Sequence, residues 1–264
     1  MDSNDLTATL YFAAAVRVAA DSSLTRLLPL ELLKEPLSPH ECFSQRILLS
    51  LQALGVIEPE LSVANADDWL TAKNWIESGL QTLAWRIRWL PGECRNRTVM
   101  AREVLRDIEP SEGVLEALLD IWEDLALAEV AQYGGWALAK AGYNPHWVQA
   151  GIGNLREALK TFSASQVMHL IQLTIRSVTR TVQSGGVLSG RLEKVFADAV
   201  GSLSRRAVVE KWNFRGISRP IDLPMSIIAS MFAHEVTRLN DEYLTRPPSI
   251  AALLDAMTRV RSVH

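Results

Sequence analysis

The residue types that do covalent chemistry are present in this chain but scattered. Five histidines stand at His40, His146, His169, His234 and His264. None has a second His or a carboxylate four residues away, the spacing that places two metal ligands on one helix face. His234-Glu235 lacks the second His of a zinc-protease motif. Cys42 and Cys94 have no partner at zinc-ligand spacing, and His40 stands only two residues from Cys42. No Gly-x-Ser-x-Gly elbow and no Gly-x4-Gly-Lys-[Ser/Thr] phosphate loop occurs. Ser184-Gly185-Gly186 and Ser189-Gly190 have the composition of a phosphate cradle, but no strand precedes them, so they read as helix-breaking punctuation. The expectation is no catalytic set, no bound metal and no cofactor.

Two clusters come closer to a site. Asp120, Glu123 and Asp124 share one helical face. Carboxylates at that spacing resemble the aspartate-rich helices of prenyl-transferring enzymes, which hold a divalent cation. Those helices need a second acidic motif opposite, and Asn240-Asp241-Glu242 is the nearest candidate. Arg259-Val260-Arg261-Ser262-Val263-His264 contains Arg-x4-His, which resembles the active-site pattern of the HEPN ribonucleases. That resemblance implies an all-helical protein in which Arg259 and His264 polarise and protonate an RNA phosphate. It covers six residues, and Val260 stands where the pattern usually carries a polar group.

These residues would be carried by helices, because helical periodicity dominates the chain. Helices are expected over 6–21, 24–34 and 38–54. In the third, Ser38 is read as the N-cap, Pro39 as the first helical residue and Glu41 as the other half of a capping box. Gly55 follows as its stop, and Val56-Ile57 is a brief strand. A long helix over 66–90 is expected to end at Pro91-Gly92. Further helices are placed at 97–108, 112–142 (bending at Gly134-Gly135), 145–162, 163–183, 190–212, 224–244 and 249–263. Asn144-Pro145, Ser163 with Gln166, and Ser249 are their start signals. The fold class is therefore all-α: a small N-terminal helical module over 1–62 and a multi-helix bundle over 63–264.

The N-terminal segment resembles a winged-helix module. Its capped amphipathic helix carries Ile47, Leu48, Leu51 and Leu54 and ends in Leu-Gly-Val-Ile, where the glycine releases the chain into a strand. Docking on DNA is not expected of it. Between His40 and Leu54 the polar contact residues are only Gln45, Arg46 and Gln52, and residues 1–80 hold 5 basic against 11 acidic groups.

Charge is segregated along the rest of the chain. Residues 81–106 carry 6 bases and 2 acids, residues 107–139 carry 8 acids and no base, and residues 140–220 carry 12 bases and 4 acids. Either the acidic helix faces the basic ones internally, or a basic surface is left for a partner. If a basic surface exists, Arg176, Arg180, Arg191, Arg205, Arg206, Lys211, Arg215 and Arg219 are expected to form it and to contact nucleic acid. The tryptophans give the other candidate. On a continuous helix from Trp69, residues Ile76, Leu80, Leu83 and Ile87 form a core stripe. Trp85 and Trp89 then fall at about 160° and 200° from Trp69, on the opposite side. They are then covered either by a second helical layer of this chain or, with Arg86 and Arg88 beside them, by a partner docked on a face of aromatic platform and guanidinium.

Composition bounds the class. Apolar residues are 48% and charged residues 22% of 264, which excludes wholesale disorder, collagen and coiled-coil rods. A chain this long buries roughly 70–75% of its unfolded surface without disulfides or metal. Two cysteines, an acidic N-terminus and the lack of a long apolar run give the expectation of a cytoplasmic protein that does not enter the membrane. The functional expectation is a non-enzymatic bacterial interaction subunit of regulatory, adaptor or immunity type. Its partner would be another protein subunit or a second copy. Nucleic-acid association through the Arg-rich helices is the alternative, and a HEPN-like ribonuclease the third.

Overall fold

The computed structural model describes residues 3–60, 80–184 and 191–259. In chain order these form α1 (Ser3–Ala19), β1 (Arg26–Leu27), a 3-10 turn (Leu30–Leu32), α2 (Glu41–Ala53), β2 (Ile57–Pro59), β3 (Trp85–Ile87) and α3 (Pro91–Arg106). There follow α4 (Glu112–Lys140), α5 (Trp147–Ala150), α6 (Ile152–Leu159), α7 (Ala164–Gln183) and α8 (Leu192–Val209). The chain ends in α9 (Ile227–Ser230) with a π-helical continuation (Met231–Val236), α10 (Glu242–Thr245) and α11 (Ile250–Arg259). The protein is all-α apart from one small sheet. No described helix is long and apolar enough to cross a membrane. Two compact units divide the chain: Met1–Leu118 with Pro224–Arg238, and Leu119–Leu223 with Leu239–His264.

The first unit is built around α1. From Leu10 to Val16 every side chain of that helix is buried, as a helix apolar on all sides requires. It packs against α2, α3 and α9, with Tyr11 edge-on to Phe43. The expected helix over 24–34 is instead a turn, β1 and the 3-10 turn. Leu24 takes a left-handed φ of 57°, and the Asp21 carboxylate accepts from the Thr25 and Arg26 amides. Burial acts to raise the Asp21 pKa, but hydrogen bonds from Ser23, Thr25 and Arg26 outweigh it and hold the carboxyl at about 2. The antiparallel sheet has the order β1-β3-β2, with Arg26 opposite Arg86 and Glu58 opposite Arg86. Its central strand comes from beyond residue 62, so the first compact unit does not stop there.

The expected helix over 66–90 lies outside the described residues for 61–79. Over 85–87 it is replaced by β3. The reason is legible in Trp85-Arg86-Ile87-Arg88-Trp89, which alternates apolar and basic with the period of a strand. Pro91 opens α3 rather than ending a helix, as proline at the first helical position does. The cap of α2 also moves. His40, not Ser38, precedes the helix and accepts from the Cys42 amide. Ser38 is buried instead, its hydroxyl bonded to that of Ser44. The stop at Gly55 stands where the sequence places it: φ is +68°, and the Gly55 and Val56 amides return to Gln52 and Leu51, closing a Schellman motif.

In the second unit α4 continues as one helix through Gly134-Gly135. A Cβ on Gly134 would lie 2.7 Å from the Val148 side chain. The helix expected over 145–162 is broken at Gly151 into α5 and α6. Ser163 and Gln166 form the capping box of α7. The long helix expected over 224–244 breaks up, because Arg238 and Asn240 take left-handed φ values of 58° and 50°. Ser249 caps α11 by accepting from the Ala252 amide.

Residues 210–223 have no repeating structure and are tied down by other means. Ile217 donates to the Ser165 carbonyl and Gln166 to that of Phe214. The chain passes Ser165 so closely that a Cβ on Gly216 would fall 2.0 Å from its hydroxyl. Arg219 forms an ion pair with Glu129 of α4, which is 0% exposed. The Tyr243 hydroxyl donates to the same carboxylate at 3.2 Å. Truncating Arg219 leaves that carboxylate buried and unpaired, a loss of about 3–5 kcal/mol. Arg219→Met is expected to lower the midpoint of denaturant unfolding sharply. The Glu129→Leu, Arg219→Met double variant is expected to lose less than the single one.

Candidate functional site

Trp85 is 0% exposed. Strand alternation sends its ring and Ile87 into the core of the first unit, and Arg86 and Arg88 outward. Arg86 pairs with Glu58 on the neighbouring strand, its Nε donating at 2.6 Å. Arg88 lies 3.9 Å from the same carboxylate. The expected face of two adjacent tryptophans with flanking guanidiniums is therefore split. Trp85 belongs to the core, Arg86 and Arg88 to the outer sheet surface, and Trp89 to the start of α3.

Trp89 is half-buried. Phe12 meets its ring edge-on at 5.1 Å, and the Arg97 guanidinium lies 4.3 Å from its centroid, held in place by Glu93 at 2.9 Å. From this point α3 presents apolar side chains to solvent: Leu90 is 76% exposed, Met100 62% and Val104 42%. Glu93, Arg97, Met100 and Val104 fall within about 60° of arc on one side of the helix. Cys94, Ala101 and Leu105 fill the buried side, where burial pushes the Cys94 thiol pKa up. Arg95, Val99, Arg102 and Arg106 share the third side, all exposed. Sequence reading noted the arginines here but missed the apolar strip, whose signal was Met100 and Val104 one turn apart.

The eight cations expected to form one basic surface divide. Arg176, Arg180 and Arg191 lie where α7 ends and α8 begins. Arg205, Arg206, Lys211 and Arg215 lie at the other end of that antiparallel pair, about 22 Å along the helix axis. All of these seven are exposed. Arg206 is bonded to Glu210 at 2.9 Å and stands over the Trp212 ring. Arg219 does not belong with them, since it is spent on Glu129. The acidic residues Glu116, Asp120 and Glu123 are exposed. Asp124 reaches Arg156 at 4.0 Å.

Among the described residues, Arg259 and Glu242, one from each candidate catalytic cluster, pair with each other. Arg259 donates to both carboxylate oxygens of Glu242, at 2.9 and 2.6 Å, and to Asp255. Arg246 joins the same two acids. Hydrogen bonds from Arg259 and then Arg246 hold the Glu242 carboxyl at about 2. Glu242, the candidate second acid for a cation, is thereby taken up in a network of ion pairs. His264 lies outside the described residues, as do Gly185–Gly190. His169 contacts the Arg215 carbonyl through Nδ1 at 2.8 Å. Among the described residues, no group of three His, Cys, Asp or Glu side chains is placed to hold a metal ion.

No protein-family model, curated protein or solved structure matches this chain.

Two outcomes follow from these placements. Trp85→Ala is expected to cost about 3–5 kcal/mol, as a fully buried large-to-small change does. Trp89→Ala, at the half-exposed edge, should cost clearly less when both are compared by thermal melting. Glu242 titrates near 4.5 when unfolded and near 2 when folded. Its stabilising effect is then complete above the first value and lost as the pH falls to the second. The melting-temperature gap between wild type and Glu242→Gln is expected to be open at neutral pH and to close across that window.

Proposed function

We propose that this chain is a non-enzymatic protein-interaction subunit of regulatory, adaptor or immunity type, working in the cytoplasm through the exposed strip of α3. The observation that carries this reading is Trp89 clasped by Arg97 next to the outward-facing Leu90, Met100 and Val104. Trp, Arg and Met are enriched in the cores of protein interfaces, and Lys is depleted there. The strip contains no Lys. The first unit is, in this reading, built on a winged-helix-like module. The β1-β3-β2 order and the delivery of α2 through Gly55 into β2 support it. The outer face of α2 carries Leu49 and Leu54 rather than a row of cations, which favours protein over DNA as its contact.

The test is affinity purification from the native host with wild type and with a Met100→Asp, Val104→Asp variant. The two exposed substitutions are expected to leave the melting temperature unchanged and to abolish one co-purifying protein. Sedimentation equilibrium of the purified chain identifies the case in which that partner is a second copy. An unchanged set of co-purifying proteins would overturn the assignment to this strip.

One observation favours nucleic-acid association as a second reading. Trp212 lies under the Arg206 guanidinium and donates to Glu210, and Arg205, Lys211 and Arg215 are exposed close by in sequence. Cations interleaved with an aromatic ring suit a single strand. On this reading affinity for a labelled oligonucleotide falls steeply with salt and drops in Arg205→Gln, Lys211→Gln.

A further inference from the structure

On the flank of α3 away from Trp89, the first unit holds a cleft of about 330 Å³. Its apolar floor is Leu105, Met231 and Val236, all buried. Its rim carries the guanidinium groups of Arg102, Arg106 and Arg238. We propose that this cleft binds a small organic phosphate of nucleotide size, its phosphate held by Arg102 and Arg106 and its organic body on the apolar floor.

Arg102 and Arg106 are four residues apart, so they project side by side from adjacent turns. Both are exposed, and among the described residues neither side chain has an ion-pair partner. Two guanidinium forks side by side match the oxygens of a phosphate dianion better than a single carboxylate, which one fork satisfies. The rim carries one acid, Glu235, and that acid is paired with Arg17 of α1. The cleft therefore keeps a positive excess.

The opposite wall is irregular. Met231–Val236 is π-helical, and widened turns of this kind recur at functional sites. The turn places His234 and Glu235 at the rim while Met231, Phe232, Ala233 and Val236 stay buried. Two residues on, Arg238 holds a left-handed φ of 58°, and its guanidinium reaches the Arg106 carbonyl at 3.4 Å. A non-glycine residue in that conformation is strained. That conformation brings a third guanidinium to the same opening. The volume lies at the lower end of the range for small-molecule sites, about 300–1,000 Å³.

The experiment is isothermal titration of the full chain with AMP, adenosine and inorganic phosphate, repeated with an Arg102→Gln, Arg106→Gln variant. AMP is expected to bind, adenosine to bind far more weakly, and the double variant to lose at least about tenfold in affinity. Both substitutions are at exposed positions, so the variant should melt with the wild type. Inorganic phosphate binding as tightly as AMP would mean an adventitious ion site and overturn the proposal. So would equal binding of adenosine, undiminished binding by the variant, or no binding of AMP. The α3 strip of the proposed function lies on the other flank, so the Met100→Asp, Val104→Asp variant should bind AMP normally.

Discussion

A carboxylate with no access to water governs the second unit. Glu129 sits on the most apolar turns of α4, between Ala128 and Val130. Burial alone pushes its pKa up, against which Arg219 and Tyr243 act. A lone buried charge costs several kcal/mol, so the chain must bring a cation to it. The segment 210–223, with no ladder of its own, is the one that does so. Its route is consequently narrow: Gly216 must skim Ser165, and the Phe214 and Arg215 carbonyls must meet Gln166 and His169. Tyr243 reaches the same carboxylate, and its own carbonyl accepts from the Trp122 indole at 3.1 Å. Three separate stretches of the second unit are registered against one charge.

Among the described residues the first unit holds no buried ion pair. Its polar pairs include the Asp21 turn, the Ser38–Ser44 hydroxyls, and Glu58 with Arg86 and Arg88. Charge segregation along the sequence does not translate into one acidic surface clamped on a basic one. Two pairs bridge the acidic block and the basic block, Glu129–Arg219 and Asp124–Arg156. Some of the remaining pairs are local and exposed, such as Arg97–Glu93 and Arg206–Glu210 one helical turn apart. Exposed pairs of this kind are worth little, which leaves the arginines of α3 and α8 available at the surface.

What was legible in the sequence is what neighbours in sequence decide. Gly55 as a helix stop, Ser163 with Gln166 as a capping box and Ser249 as an N-cap are set within a few residues, and all are found. The helical class follows from periodicity repeated over many segments. One error is the extension of a local pattern past its end. A helical wheel started at Trp69 was carried into Trp85-Arg86-Ile87-Arg88-Trp89, whose period is two. It put Trp85 outside when the strand puts it inside. Ser38 has the residue type of a cap but is claimed by Ser44, six residues away. The π turn at 231–236 and the pairing of Arg219 with Glu129, 90 residues earlier, depend on tertiary partners that no window reveals.

α3 shows how one short helix is divided. Cys94, Ala101 and Leu105 are needed to cover α1 and leave about two thirds of the circumference to solvent. A helix with only structural duty fills that remainder with Glu, Lys and Gln, which have high helix propensity and no cost in water. This one uses Val99, Met100 and Val104 with Arg95, Arg102 and Arg106. Two of the three apolar residues are β-branched and unfavourable to the helix. Single exposed apolar residues need no explanation. Met100 and Val104 line up with Trp89 and Arg97 on one side, while Val99 stands with Arg95, Arg102 and Arg106 on another, where Arg102 and Arg106 border the cleft. The two sides of α3 therefore differ in chemistry, one apolar and aromatic, the other largely cationic.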